Sequence, residues 1–439
     1  MRWGFGIGVE MKIVLGKEGN MLTRWPLVKG VGFCCCLFSA LVPTTTEAAT
    51  PELATTIGQV ITGVSETAGV EIAAAMTAVA VAELGQSQSD RFPVVTVDAQ
   101  DTLAGDSITN EPEYILRIEQ MLLDWGQSEE DILARRSAVE ARKSAEREAL
   151  LDAALQAVEA FFSIHIINQK FVSNQGHRLS LQELQQMMRR RVDNNVSPSL
   201  DLQEVTSRID LLDVADQRLV TEKRKHQLTL IRLAGVSVEE PSVGDCRRPT
   251  PLDEESLVRE ALASSPTLER LRHEADIHAF DERALGATRL PGVVGGYRAD
   301  SKLDGNEFDQ RAYLALRYEL RTGGDLNASM AKMRAKHIEQ RALHRRDAEV
   351  IAQTVGNWVS TYQTSVYLAD TYRRVVSSKV GQKESHLRRF LVGRSSWRDV
   401  LGAQQEVVES MAARIDASGA VCLASISLSL LAGGTDELR

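Results

Sequence analysis

One interval, 198 residues, recurs along this 439-residue chain and constrains its fold more than any other feature. Leu233-Ala234-Gly235 returns as Leu431-Ala432-Gly433, Arg190-Arg191 as Arg388-Arg389, and Gly126 as Gly324. Pro93 and Pro291, Ser197 and Ser395, Asp201 and Asp399, and Ala215 and Ala413 keep the same spacing. One such match would carry little. Held over roughly 140 residues, they predict a duplicated unit, 49–236 and 251–434, joined by a linker at 237–250 and followed by a tail at 435–439. Pro241, Gly244 and Pro249 give the linker its turn chemistry. Length alone would suggest about three globular domains. The repeat replaces them with two copies of one elongated unit.

Both copies read in the same order. A helix comes first, Leu53 to Asp90 or Glu254 to Leu290. A proline then opens a short β-like run, Pro93-Val94-Val95-Thr96-Val97 or Pro291-Gly292-Val293-Val294, and a polar loop follows. The next run alternates: Leu314, Leu316, Tyr318 and Leu320 on one side, Ala315, Arg317, Glu319 and Arg321 on the other. Leu116, Ile118 and Leu122 against Arg117, Glu119 and Leu123 form a weaker copy. Period two with charge on one side suits a strand between lipid and an aqueous lumen; an amphipathic hairpin on a soluble core has the same pattern.

From Gln127 to Asp193 the pattern is helical, with Leu151, Leu155, Val158, Phe162 and Ile166 stepping by threes and fours. Asn174-Gln175-Gly176 before Ser180 predicts a kink or pause within a continuous rod. A turn at Asn194 to Ser199 leads into a shorter helix, Leu200 to Ala234. The two short helices together match the long one in length, so they can lie end to end along it. Such a rod has no globular core, and it must bury its apolar stripe against neighbours by oligomerising.

The composition fits long helices: 43% hydrophobic, 25% charged and only 5% aromatic. A net charge of −9 argues against nucleic acid as a partner. No unbroken run of 18 apolar residues occurs, which rules out a helical membrane span but not a β-barrel. Residues 1–48 read as a secretory signal: Arg24 and Lys29, the apolar stretch Val31 to Val42, and Thr46-Glu47-Ala48 before a new N-terminus at Ala49. Met21 lies just ahead of this pattern, which makes 1–20 an over-extended start. Cys34, Cys35 and Cys36 fall inside the leader, where Phe33 is wrong for lipidation. Cys246 and Cys422 remain; an oxidising compartment allows a disulfide, but two unpaired buried thiols is the favoured reading.

In this order, Leu122-Leu123-Asp124-Trp125-Gly126, Leu320-Arg321-Thr322-Gly323-Gly324 and Arg389-Phe390-Leu391-Val392-Gly393-Arg394-Ser395-Ser396, followed by Asp399-Val400-Leu401, resemble the TolC-like outer-membrane factors. The resemblance implies a mainly α protein with a β portion. A long α-helical barrel would continue into a 12-stranded trimeric transmembrane β-barrel, with four strands per chain and two internal repeats. It further implies an outer-membrane location with a large periplasmic part, and a passive channel. The partners would be a homotrimer, outer-membrane lipid, a periplasmic adaptor and an inner-membrane ABC or proton-driven transporter. Type I protein secretion is favoured over small-molecule efflux on the Asp-Trp-Gly junction. A soluble periplasmic coiled-coil scaffold or adaptor is the alternative from another class.

The resemblance also assigns residues. Trp125, Gly126, Gly323 and Gly324 fall at strand-to-helix junctions, where the backbone must turn abruptly. Asn195, Ser197, Val392, Gly393, Arg394 and Ser395 fall at the adaptor-contacting tip, Asn195 standing where the second repeat has Gly393. Asp399 matches an acidic aperture position, although a carboxylate at a helix N-terminus explains it equally well; Gly402 replaces the next acid of some relatives. Arg388, Arg389 and Arg394 either pair with acids to lock the tip or are solvated. No nucleophile elbow, Walker loop or H-E-x-x-H pattern is present, and His273 and His278 are five apart, off any shared helical face. The expectation is a non-enzyme with no cofactor and no metal.

Overall fold

The computed structural model describes residues 55–100, 113–244, 246, 252–302, 308–319 and 323–433. All belong to one unit, Leu53–Arg439. The expected leader (1–48), Leu320-Arg321-Thr322, the tail and residues 101–112 of the first polar loop lie outside the described residues; the second loop, expected at Ala299 to Gln310, is shorter, because β5 runs on to Lys302 and β6 begins at Phe308.

In chain order the elements are β1 (Thr55–Thr56), α1 (Ile57–Val64), α2 (Ala68–Ser89), β2 (Val94–Gln100), β3 (Glu113–Leu123), α3 (Gln127–Asp193) and α4 (Ser199–Ala234). They continue with β4 (Pro241–Ser242), α5 (Glu254–Ser264), α6 (Pro266–Ala287), β5 (Gly292–Lys302), β6 (Phe308–Arg317), α7 (Asp325–Leu391) and α8 (Trp397–Leu431). The 198-residue interval reappears in the element bounds. α3 and α7 are both 67 residues long, about 100 Å each at 1.5 Å per residue. α2 and α6 are both 22 residues long, and their first residues, Ala68 and Pro266, stand one interval apart.

Three local expectations are corrected. The opening helix of each half is two helices, not one. In the second half Ser265 ends α5 and caps α6, its Oγ accepting from the Leu268 N–H at 3.3 Å, with Pro266 at the first helical position. Thr67, one interval earlier, is the N-cap of α2. The expected pause near Gly176 is absent, and α3 runs unbroken through it. There the polar side chains serve tertiary contacts instead: Asn174 Nδ2 donates to Asp216 at 2.6 Å, and Ser180 Oγ to Gln404 at 3.3 Å. Thirdly, Cys246 and Cys422 form a disulfide with Cα atoms 4.9 Å apart. The linker leaves α4, pairs β4 with β1 in parallel, and returns over α8, which brings together two thiols 176 residues apart.

The membrane-helix reading needs amendment too. Three helical stretches are long and apolar enough to cross a membrane by length and composition: Ile57–Ser89, Gln127–Asp193 and Trp397–Leu431. An unbroken apolar run is too strict a criterion, because scattered small polar residues leave the average hydropathy high. In α3 and α8 the stretches feed packed clusters, with Phe161, Phe162 and Ile164 of α3 and Val421, Ala424 and Leu428 of α8 buried. In α2, by contrast, Ile72, Met76, Val79 and Val81 are exposed.

α3 packs against α2 and α4, as the length arithmetic anticipates, and also against α6 and α8 of the other half. α7 packs against α5, α6 and α8. β2, β3, β5 and β6 form one antiparallel sheet in that order, leaving β2 and β6 as its edges.

Candidate functional site

The sheet has two chemically different faces. Its register aligns Val94, Glu119, Gly296 and Tyr313 in one row across the four strands, and Thr96, Arg117, Arg298 and Arg311 in the next. Residues directly opposite share a face and alternate residues leave it. One face therefore carries Asp98, Arg117, Glu119, Arg298, Asp300, Asp309, Arg311 and Arg317. The other carries Val95, Val97, Leu116, Ile118, Tyr297, Leu314 and Leu316, with no side chain charged at neutral pH among the described strand residues. Val97, Leu314 and Leu316 are 71%, 76% and 74% exposed, which is costly in water and natural against hydrocarbon. On the charged face Tyr313 donates to Glu119 at 2.6 Å, and Arg317 reaches the same carboxylate at 3.2 Å. Gly296 lies between them, and any β-carbon there would collide with the Tyr313 ring.

The strands hand over to the long helices at two junctions. Trp125 and Gly126 have φ of 56° and 86°, and Gly323 and Gly324 have 88° and 81°. Two successive left-handed residues reverse the backbone from strand into helix. Glycine does this freely; Trp125 does it at a steric cost of order 1 kcal/mol. Trp125 is half-exposed, and its indole Nε1 donates to the Pro291 carbonyl at 3.0 Å, tying the first junction to the start of β5. Asp124 completes the site: its carboxylate accepts from the N–H groups of Gly126 at 3.1 Å and Ser128 at 2.9 Å. Burial pushes this carboxyl up, but the bonds from Ser128 and Gly126 outweigh it and hold it below the ordinary aspartate range.

At the opposite end of α3 and α7 the turns at 194–198 and 392–396 have the same geometry. Asn195 N–H donates to Val192 O at 2.9 Å and Val196 N–H to Arg191 O at 2.7 Å; Gly393 donates to Phe390 O at 3.0 Å and Arg394 to Arg389 O at 2.8 Å. These are paired Schellman closures with Asn195 (φ 58°) and Gly393 (φ 74°) at the left-handed position. The structure brings the two turns together through residues that sequence reasoning did not single out. Trp397 is buried with Leu181, Leu184, Met188, Val205, Phe390 and Leu401, and its Nε1 donates to the Asp201 carbonyl at 3.0 Å. The Arg191 guanidinium stacks 4.9 Å above the Phe390 ring and donates to Ser197 at 3.1 Å. A tryptophan opening a helix directly after a capping serine was the only local signal. Arg388 pairs with Glu384 on its own helix, both side chains being well exposed, while Arg389 and Arg394 make no ion pair with a described residue.

Asp399 is the third helical residue of α8 and half of a capping box. Its carboxylate accepts from the Ser396 N–H at 2.9 Å and Ser395 Oγ at 3.0 Å, and Ser396 Oγ accepts from the Asp399 N–H at 3.2 Å. The Ser396 backbone bond and the two serine hydroxyls hold this exposed carboxyl below the ordinary aspartate range, so it is an anion at neutral pH. Val392, Gly393 and Arg394 are exposed around it.

Elsewhere a cleft of about 600 Å³ lies between α6 and α7, lined by Leu271, Ala275, Ile338, Arg341, His344 and Arg345 among others. Among the described residues no group of three or more His, Cys, Asp or Glu side chains could hold a metal ion. His273 and His278 instead approach Glu269 and Asp281 on their own helix.

Residues 257–434 match the family model described as outer membrane efflux protein. The fold is that of solved membrane proteins. One is the outer membrane protein VceC of Vibrio cholerae, with a TM-score of 0.76 at 14% identity over 86% of this chain and 96% of that one. Another is a membrane protein of Pseudomonas aeruginosa, with a TM-score of 0.76 at 16% identity over 86% and 90%. A third is the open state of the MtrE outer membrane channel of Neisseria gonorrhoeae, with a TM-score of 0.69 at 14% identity over 86% and 89%. No curated protein matches the chain at significant similarity.

Proposed function

We propose, for a chain that carries an outer membrane efflux protein domain over residues 257–434 and the fold of bacterial outer-membrane channels, that it is one subunit of a trimeric export conduit. The protein lies in the bacterial outer membrane with a large periplasmic portion. The observation that carries this reading is the sheet: one face without charge, the other with every described charge, and two unpaired edges. Four strands cannot hide their edge N–H and C=O groups from hydrocarbon, whereas three copies joining β6 to the next β2 close 12 strands into a barrel. β3, β5 and β6, of 11, 11 and 10 residues, are long enough to cross the hydrocarbon layer, and β2 is described over seven.

α3 to α8 then continue the conduit through the periplasm, and the turns at Asn195, Ser197, Val392, Gly393, Arg394 and Ser395 face a periplasmic adaptor. Asp399 lines the tip, three copies around the axis attracting cations. Conduction is passive, and an inner-membrane transporter supplies the energy. Type I protein secretion draws on the Asp124-Trp125-Gly126 junction, and small-molecule efflux on the description of the matched domain. Deleting the gene and assaying a secreted protein and drug tolerance separately distinguishes the two.

Purified protein is expected in the outer-membrane fraction as heat-modifiable trimers that open ion-conducting pores in planar bilayers. A monomer soluble without detergent would sink the reading in favour of a periplasmic scaffold. Asp399→Asn is expected to lower cation preference while trimers persist; unchanged conductance and selectivity would remove Asp399 from the aperture.

A further inference from the structure

Three arginines stand abreast on the charged face of the sheet. Arg117 of β3 is directly opposite Arg298 of β5, which is directly opposite Arg311 of β6. Like charges so placed repel one another, with β-carbons about 5 Å apart, so a merely solvated face would gain from any neutral residue here. The acids around them compensate unevenly. Asp300 accepts from Arg298 Nε at 2.7 and 2.9 Å and lies 3.7 Å from Arg311. Glu119 is held by Tyr313 and Arg317. Asp98 and Asp309 share the row of Asp300, one row further from the helices. Arg117 forms no hydrogen bond or ion pair within the described residues, and the exposed Arg311 keeps donors to spare.

We infer that Arg117, Arg298 and Arg311 form an anion-recognising belt inside the barrel, three guanidinium groups per chain and nine around the pore. This rests on the trimeric-channel reading. The belt lies about 20 Å along the strands from the helical junction, six residues beyond Leu123 and Gly292 at about 3.4 Å each. Its ligand class is solutes bearing carboxylate, sulfonate or phosphate groups, which the planar forks of Arg117 and Arg311 grip in pairs of hydrogen bonds. Rings of arginine are the device by which pores select anions. Asp300 orients the central arginine, and Glu119, whose hydrogen bonds go to Tyr313 and Arg317, feels the charge of Arg117 but leaves its guanidinium donors open. The conduit would thus meet its cargo with acids at the periplasmic tip and with a row of arginines, flanked by acids, in the membrane.

Reconstituted trimers in planar bilayers test this, with reversal potentials in a KCl gradient and block by inorganic tripolyphosphate added from the barrel side. The double variant Arg117→Gln/Arg311→Gln is expected to conduct, to shift its anion-to-cation permeability ratio at least threefold towards cations, and to need at least tenfold more tripolyphosphate for half-block. Arg117→Lys/Arg311→Lys is expected to keep the permeability ratio and lose part of the block, because charge survives and the fork does not. Open channels with unchanged ratio and block in the glutamine variant would overturn the belt. Absence of conductance in the unmodified protein would instead overturn the channel reading. If the glutamine variant fails to assemble, the lysine pair still decides: block unchanged from the unmodified protein rejects recognition by the guanidinium forks.

Discussion

Asn195 and Gly393 occupy the same left-handed position in two equivalent turns, and only one has a side chain. Asn195→Gly is expected to stabilise the protein by several tenths of a kcal/mol to about 1 kcal/mol, and Gly393→Ala to destabilise it by about 1 kcal/mol, measured as shifts of the thermal unfolding midpoint. Trp397 is expected to matter more. Trp397→Ala removes a buried ring and the bond to the Asp201 carbonyl at once, for a loss of about 3–5 kcal/mol. Trp397→Phe keeps most of the packing and loses about 1 kcal/mol. His177 has a different readout. It is buried between α3 and α8, where Gln404 Nε2 donates to its Nδ1 at 2.8 Å, and burial, aided by Arg208 and Lys383, lowers its pKa from 6.5 to about 4. Between those values the unfolded chain binds a proton that the folded chain refuses. Stability therefore falls as pH drops through that window, by about 3 kcal/mol in all, and is level above it. His177→Gln is expected to flatten this part of the stability–pH curve; an unaltered curve would show that another group titrates there.

At the scale of elements, much was legible in the sequence. Gly126 and Asn194 bracket α3, and Gly324 and Val392 bracket α7, because left-handed residues and polar turns leave local marks. The alternation in β6 announced the apolar face of the sheet. The breaks at Thr67 and Ser265 were harder, since apolar spacing continues across them and only the caps interrupt it. The tip was legible as two turns but not as one unit, because Arg191, Phe390 and Trp397 meet through tertiary packing that no local pattern encodes. The disulfide belongs to that class. Cys246 and Cys422 become neighbours only once β4 has paired with β1 and the linker lies over α8. Cys246→Ser is expected to lower stability by about 3–5 kcal/mol, since the bond closes a long loop, and to abolish the sensitivity of the melting temperature to dithiothreitol.

For the whole molecule, the 198-residue interval says what one chain lacks. α3 has neighbours from both halves, α2 and α4 on its own side and α6 and α8 on the other. α7 occupies the equivalent place, with α6 and α8 from its own half, so on the proposed trimeric reading α2 and α4 of a neighbouring subunit would complete its surroundings. The exposed Ile72, Met76, Val79 and Val81 of α2 then find cover. A residue pair follows. Within the chain Arg147 of α3 bonds Glu269 of α6 at 2.5 Å. One interval on, the same relation in a trimer would join Arg345 to Glu71 of the neighbouring subunit. Cysteines at Glu71 and Arg345 are expected to cross-link chains into dimers and trimers on oxidation, and monomers alone would refute this arrangement.

The division of the sheet into a charged and an uncharged face also has a consequence for biogenesis. A lone chain entering the bilayer would carry at least eight charged side chains and two bare strand edges into hydrocarbon. On the trimeric reading, insertion and trimerisation are expected to be one event rather than two, with a rate that rises steeply with subunit concentration and a lag when subunits are scarce.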